Sequence, residues 1–294
     1  MIPTTPLTDS FGPVDPVVLV PPQKAAGEQA AAAVLPALPR RRVWQVPFDC
    51  VTAAQAVDRI EALVRRGTPS YVITANLNYV MLHHQQDDLR EITESADLIL
   101  ADGQPIVWRS KFGQLKLPQR VAGSEMIYDL AARASRNGWG IYFLGGQPGV
   151  AQRCAVQLKK EYPGMRIAGI ESPPFRELTP QEQLDQDRRI QNSGAALLLV
   201  AFGQPKGERW IHQHYKRLRV PVSIQLGASF DFVAGNATRA PAWLGRLGCE
   251  WAYRMCSDPK RLVPRYWSNA KFLSRALVND WIQQVRDLKG CQTP

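Results

Sequence analysis

The run Leu98–Ile99–Leu100–Ala101 ends directly on Asp102, and Gly103-Gln104-Pro105 breaks it. A short, continuous apolar run has the character of a strand buried on both faces. The aspartate is therefore expected where that strand ends and a helix begins, the edge at which open α/β sheets bind ligands. A carboxylate there can take the proton of a substrate hydroxyl, which is general-base chemistry. Other strand ends are polar too. "TAN" sets Thr74 and Asn76 two residues apart, hence on one face, where they can meet a ligand or cap the next helix. "FGQPKGERW" (202–210) gathers Gln204, Lys206, Glu208 and Arg209 after the apolar run Ala195–Phe202. Polar groups at several strand ends point to one cleft.

Other motifs point less sharply. "FLGGQPGVAQ" (143–152) reads as strand, glycine turn and helix, able to present N–H groups to a phosphate or simply to turn tightly. It has neither GxGxxG nor GK[ST], which disfavours a nicotinamide-dinucleotide enzyme. Asp185-Gln186-Asp187 matches a metal-holding DxD string, but it falls inside a helical stretch where residues two apart do not face each other. A solvated helix face is expected there, and no metal. His83, His84, His212 and His214 also fall on helical stretches, without a trusted Ser or Cys partner.

The elements that must position these groups alternate. Thr52-Ala-Ala-Gln55 is a capping box opening a helix to about Arg66. Strands follow at 70–75, 97–101, 140–144, 166–170, 195–202 and 222–226. Helices are expected at 78–95, from a Ser124 cap to about Arg136, at 150–162, from the Thr179-Pro180-Gln181-Glu182 start, and between the last two strands. This order predicts an α/β, Rossmann-like, mainly parallel sheet with helices on both faces. Residues 1–42 hold eight prolines and read as a mostly disordered extension, with a short helix near Ala25–Leu35 and a solvated basic triplet Arg40–Arg42. The catalytic domain is expected over 43–237. Residues 238–294 read as a helical appendage that interleaves Lys and Arg with Trp, Tyr and Phe, a composition suited to a lipid headgroup interface.

The 294 residues are 45% hydrophobic and carry a net charge of +10, which suggests an anionic partner. Residues 239–294 contribute ten Lys/Arg against four Asp/Glu, or +6 of that total. Five scattered cysteines without CxxC argue against a disulfide framework or a zinc site. No apolar run approaches a membrane span, and the N-terminus lacks a signal-peptide pattern. A cytoplasmic-side protein is expected.

"TAN", "ADG", "RVAGSEMIYDL", "FLGGQPGVA", "FGQPKGERW" and "GASFDFVAGNATRAPAWLGRLGCEWAYRMCSDPKRLVPRY" resemble, in order, the WecG/TagA/CpsF family of bacterial glycosyltransferases over about 43–270. The resemblance implies inverting sugar transfer from a UDP- or GDP-sugar to a polyprenyl-diphosphate-linked saccharide at the cytoplasmic face of the inner membrane. No metal or other cofactor is implied, and self-association is allowed. By motif, Asp102 matches the catalytic base, Thr74 and Asn76 match substrate-pocket residues, and Arg120 matches the arginine before VAG. Arg254, Arg261 and Arg265 would face the lipid diphosphate. Pro205-Lys206-Gly207-Glu208 departs from the usual P-K-Q-E, and Gln204 is the expected substitute for the absent glutamine, with Glu208 beside it on the substrate. "SPPF" at 172–175 replaces the usual "GYF". The donor stays open among glucose, mannose, N-acetylmannosamine and its uronate, with a lean toward exopolysaccharide assembly. A basic nucleic-acid-binding protein explains the charge but not the polar strand ends, so nucleic acid is not an expected partner. A nucleotide-sugar-binding protein without catalysis is the other alternative.

Overall fold

The computed structural model describes residues 35–237, 250–257 and 259–290. The first elements form a hairpin, β1 (Arg40–Val43) antiparallel to β2 (Val46–Asp49). The triplet Arg40–Arg42, expected as a solvated linker, is therefore strand. Arg40 donates to the buried Asp49 carboxylate (2.9 Å) and Arg42 to Glu94 (2.7 Å). One of these acceptors lies 52 residues away in the chain, which is why the triplet reads locally as solvated.

From there strand and helix alternate. The strands are β3 (Ser70–Ala75), β4 (Leu98–Ala101), β5 (Gly140–Gly145), β6 (Arg166–Glu171), β7 (Leu197–Ala201) and β8 (Val222–Gln225). They form one sheet of order β4-β3-β8-β7-β5-β6, and every pairing is parallel. β3, β4, β5, β7 and β8 are buried on both faces, and β4, β5 and β7 accordingly run apolar instead of alternating, whereas the edge strand β6 is only partly buried. One face packs α1 (Ala53–Arg66), α5 (Gly123–Asn137), α6 (Val150–Glu161) and α9 (Ser229–Val233) through Ile60, Leu130, Cys154 and Phe230. The other packs the hairpin with α2 (Leu77–Gln85), α3 (Asp88–Glu94), α4 (Gln104–Ser110), α7 (Pro180–Asn192) and α8 (Lys206–Leu218) through Phe48, Tyr79, Ile106, Ile190 and Ile211. This is the doubly wound α/β arrangement expected from the element order.

Both expected capping boxes form, Thr52 with Gln55 and Thr179 with Glu182. Two helix limits differ from expectation. The helix expected over 78–95 is broken at Gln86-Asp87, where Gln86 is extended. Arg209 of α8 holds the break, bonding Gln86 (2.9 Å) and the Asp88 carboxylate (2.5 and 3.0 Å). Ser124 does not cap α5 either, since the helix begins at Gly123 with no side-chain cap from Ala122.

The described part of the C-terminal region is helical: α10 (Glu250–Ser257) and α11 (Pro259–Gly290). At 1.5 Å per residue α11 is about 48 Å long. Leu262 and Asn269 are buried, Phe272 packs on the rings of Trp44 and His84, and Asp280 accepts from Arg109 (2.5 and 2.9 Å) and Trp44 Nε1 (3.0 Å). At 100° per residue these four positions share one face. The opposite face carries Val263, Trp267, Val278 and Trp281, all exposed, the two tryptophans at 64% and 66%. A water-facing helix side is ordinarily polar, so this outward apolar stripe runs against the pattern of a soluble surface. No helix among the described residues is long and apolar enough to cross a membrane.

Candidate active site

Asp102 follows β4 immediately, its N–H donating to Ala75 O of the neighbouring strand (3.0 Å). That bond fixes the residue at the sheet's carboxyl edge, as the sequence predicts. Its carboxylate faces the start of α5. The Gly123 N–H points at Asp102 Oδ2 (3.4 Å), and Arg120 lies 3.8 Å from Oδ1. The first N–H groups of a helix lack internal partners and carry partial positive charge. Here an aspartate 21 residues away meets one of them, which explains why no local cap was needed at 122 or 124. Asp102 and Arg120 side chains are each about a quarter exposed (25% and 24%). Arg120 also donates to Glu125 (2.6 Å), so the guanidinium is held beside the carboxylate while both face solvent.

The neighbouring strand supplies the rest of this edge. Thr74 Oγ1 donates to Gln225 O (3.1 Å) at the end of β8. A Cβ on Gly123 would stand 3.5 Å from the Thr74 side chain and 3.0 Å from Leu226, so α5 starts in close contact with β3. Asn76 caps α2, its Oδ1 accepting from Tyr79 N–H (3.2 Å). The capping alternative thus holds for its carbonyl oxygen. Gln204 spans the gap from β7 to β3, its Nε2 donating to Thr74 O (3.1 Å). On its other side Arg265 of α11 approaches Gln204 Oε1 (3.4 Å). The appendage therefore reaches the strand ends through a predicted arginine. Arg254 and Arg261 lie on α10 and α11, with their side chains outside the described residues.

Glu208 departs from expectation. It is 1% exposed in the first turn of α8, beneath Gln204 instead of facing the cleft as a substrate contact. Neither carboxyl oxygen has a well-aligned partner. Burial pushes its pKa up to about 8, against the pull of its own N–H, Gln204, Arg265 and Arg209. Arg209 serves the α2–α3 break.

Gln225, which sequence reasoning missed, explains Gly207. A Cβ at 207 would stand 2.2 Å from the Gln225 amide. That amide, 2% exposed, fills the space a side chain at 207 would need. Oriented to suit its neighbours, it donates to Val200 O (2.7 Å) and accepts from Gly203 N–H (3.0 Å). Its only sequence signal was a polar residue ending an apolar strand.

The glycine turn after β5 is a packing device as well as a helix start. Gly145 has φ +105°, and a Cβ there would lie 2.9 Å from Ala201 O. The Asp185/Asp187 pair splits across α7. Asp185 accepts from Gln181 (3.0 Å) on the exposed side, whereas Asp187 is buried and pairs with Arg217 (2.6 Å). The expected solvated face thus holds for Asp185 alone. His83 and His214 are buried, which pulls both down to about 4 and keeps them neutral at neutral pH. Both lie outside the strand-end cluster.

The chain is 30% identical over 230 residues to the N-acetylglucosaminyldiphosphoundecaprenol N-acetyl-beta-D-mannosaminyltransferase of Bacillus subtilis (strain 168), covering 76% of this chain and 88% of that protein. It is 29% identical over 202 residues to the protein of the same name from Bacillus spizizenii, covering 67% and 77%. The model of the glycosyl transferase WecG/TagA/CpsF family matches residues 41–286, from the first hairpin through most of α11, and the chain belongs to that family.

Proposed function

We propose that the protein transfers a sugar from a UDP- or GDP-sugar to a polyprenyl-diphosphate-linked saccharide, with inversion, and that Asp102 is the base. The observation that carries this reading is a quarter-exposed edge where one carboxylate, one guanidinium and one helix N-terminus converge. An acceptor hydroxyl is a poor nucleophile, and a carboxylate within hydrogen-bond reach removes its proton as the new bond forms, typically worth about 10²–10⁴-fold. Direct displacement at the anomeric carbon then inverts its configuration. The leaving nucleoside diphosphate gains charge. Arg120 stands beside the base, and its planar fork suits phosphate oxygens in a way a lysine does not. The α5 N-terminus adds N–H groups aimed at the same place. Thr74, Asn76 and Gln204 border the substrates, and Arg265 brings positive charge from α11 for the lipid diphosphate. No metal has a role in this scheme.

The relatives' names specify a diphosphoundecaprenol-linked acceptor, and a lipid-borne acceptor fits the outward stripe of α11. Tryptophans with Lys260, Lys271 and Arg275 on one helix suit an anionic headgroup layer. These features support a peripheral seat for the protein at the cytoplasmic face of the inner membrane. The test is a donor panel of UDP- and GDP-sugars with a short-chain polyprenyl-diphosphate saccharide, with and without EDTA. Transfer from one donor, indifferent to EDTA, is expected. Transfer abolished by EDTA and restored by Mg²⁺ or Mn²⁺ would overturn the metal-free scheme and make Asp102 a candidate ligand. No transfer from any donor would leave a binding protein.

A further inference from the structure

The α11 stripe is not the molecule's only apolar surface near the site. Trp108, Phe112 and Leu115 are exposed at 48%, 73% and 38%. They lie on α4 and the turn that continues it, where Lys111 N–H bonds Trp108 O and Phe112 N–H bonds Arg109 O. Trp108 and Phe112 are one helical turn apart and share a side. We propose that this patch is a second lipid-contacting edge, which with the α11 stripe seats the Asp102 strand end against an anionic bilayer. The proposal rests on the lipid-borne acceptor read above.

Three observations select the occupant. Residues 103–124 contain Arg109, Lys111, Lys116 and Arg120 and no Asp or Glu. Arg41 packs onto the same segment, since a Cβ on Gly113 would stand 2.1 Å from its guanidinium. Arg109 and Arg120 are answered by Asp280 and Glu125, which leaves Lys111, Lys116 and Arg41 as the cations beside the rings, and such a rim matches an anionic headgroup layer, into which Lys and Arg snorkel while the rings sink. A second copy would present the same patch across a two-fold axis and set cation against cation. The second observation is linkage. Arg109 follows Trp108 and binds Asp280, which precedes Trp281 of the stripe. One two-toothed ion pair, joined by Trp44 Nε1 (3.0 Å), thus ties the two apolar edges together. The third is position. Helix α4 starts two residues after Asp102 and is seven residues long, so its far end lies about 10 Å along the axis from the turn beside Asp102. A patch at that distance brings the base to the depth of a headgroup-borne sugar.

The test uses the full chain in three forms: unchanged, Trp108→Ser/Phe112→Ser, and Trp267→Ser/Trp281→Ser. Each is sedimented with phosphatidylglycerol-containing vesicles and with phosphatidylcholine vesicles, sized by light scattering, and assayed for transfer to a short-chain acceptor in solution. The expected result is a preference of the unchanged chain for anionic vesicles and a drop of about tenfold or more in its partitioning for the 108/112 form. Transfer in solution stays within about twofold. Unchanged partitioning of the 108/112 form overturns the proposal while leaving the α11 reading to its own variant. An unchanged chain that ignores vesicles overturns both, and the solution assay still reports on sugar transfer alone. A dimer that the 108/112 change dissociates, without loss of vesicle binding, assigns the patch to a second copy and overturns the lipid edge. Phe112→Ser alone is the fallback should the double variant misfold, because that ring lies on the surface.

Discussion

Two ends of one sheet treat their carboxylates in opposite ways. At the β3–β4 end, Asp102 is a quarter exposed and faced by Arg120 and the α5 N-terminus. At the β7–α8 end, Glu208 is sealed under Gln204 with no well-aligned partner, and Gln225 fills the space beside it. Both ends read alike in sequence, as polar residues after apolar runs. The difference lies in what remains available to a ligand. The first end presents charge to solvent and can exchange protons with a substrate. The second turns its polar groups inward and serves to hold Gln204 across the gap. The proposed reading gives the chemistry to one end and positioning to the other, and each substitution below can break that division.

The largest effect is expected at Asp102. Asp102→Asn keeps the size and the acceptor for Gly123 N–H but removes the base, so turnover falls by about 10²–10⁴-fold. Thermal stability changes little, because the lost ion pair is partly exposed and such pairs are worth about 0–1 kcal/mol. Initial rates together with a melting curve check both halves. Full activity in a folded variant would remove Asp102 from the role and erase the contrast between the two ends.

The next effect is on stability and lies at the other end. Gly207→Gln forces a side chain into the volume of the Gln225 amide, 2.2 Å from the first added carbon. Gln225 is buried and holds Val200 O and Gly203 N–H, so it can move only by giving up those bonds. Overpacking of this kind costs about 1–3 kcal/mol, read as a lowered melting temperature. Adding Gln225→Ser should recover part of it by clearing the space, a coupling a double-mutant cycle measures. Simple additivity would mean that the two residues do not share one space.

The sequence carried much of this and missed specific parts for specific reasons. The central strands β4, β5 and β7 were readable because burial on both faces leaves continuous apolar runs. The two capping boxes were readable because each is complete within four residues. What escaped was set from a distance. The start of α5 is met by Asp102, 21 residues earlier, so the local candidate Ser124 was misleading. The break between α2 and α3 is held by Arg209, 121 residues from Asp88. Arg40 and Arg42 stay exposed as expected, but the acids they pair with are brought to them by the fold. The polar strand ends were visible as a group, yet nothing local separates the open Asp102 from the sealed Glu208. The aromatic and basic texture of the C-terminal region was equally visible. That Trp267 and Trp281 face outward follows only from which side of α11 carries Phe272 and Asp280 to the body.

The smallest effect is the most direct probe of the sealed end. Burial raises the Glu208 pKa from the ordinary 4.5 to about 8 in the folded chain. Between those values the folded state holds a proton that the unfolded state releases. Stability therefore falls as pH rises through this window, and the decline levels off above about pH 8. Glu208→Gln keeps the neutral shape and deletes the titration. Its melting temperature should match the unchanged chain near pH 5 and exceed it increasingly toward pH 8. Turnover at pH 6 should stay within about threefold, since a protonated, buried carboxyl cannot act as a base there. A loss of turnover as large as that of Asp102→Asn, with the pH dependence of melting unchanged, would mean that Glu208 is ionised and reaches the substrate. The two ends would then share the chemistry, and the gap spanned by Gln204 would be a two-carboxylate site.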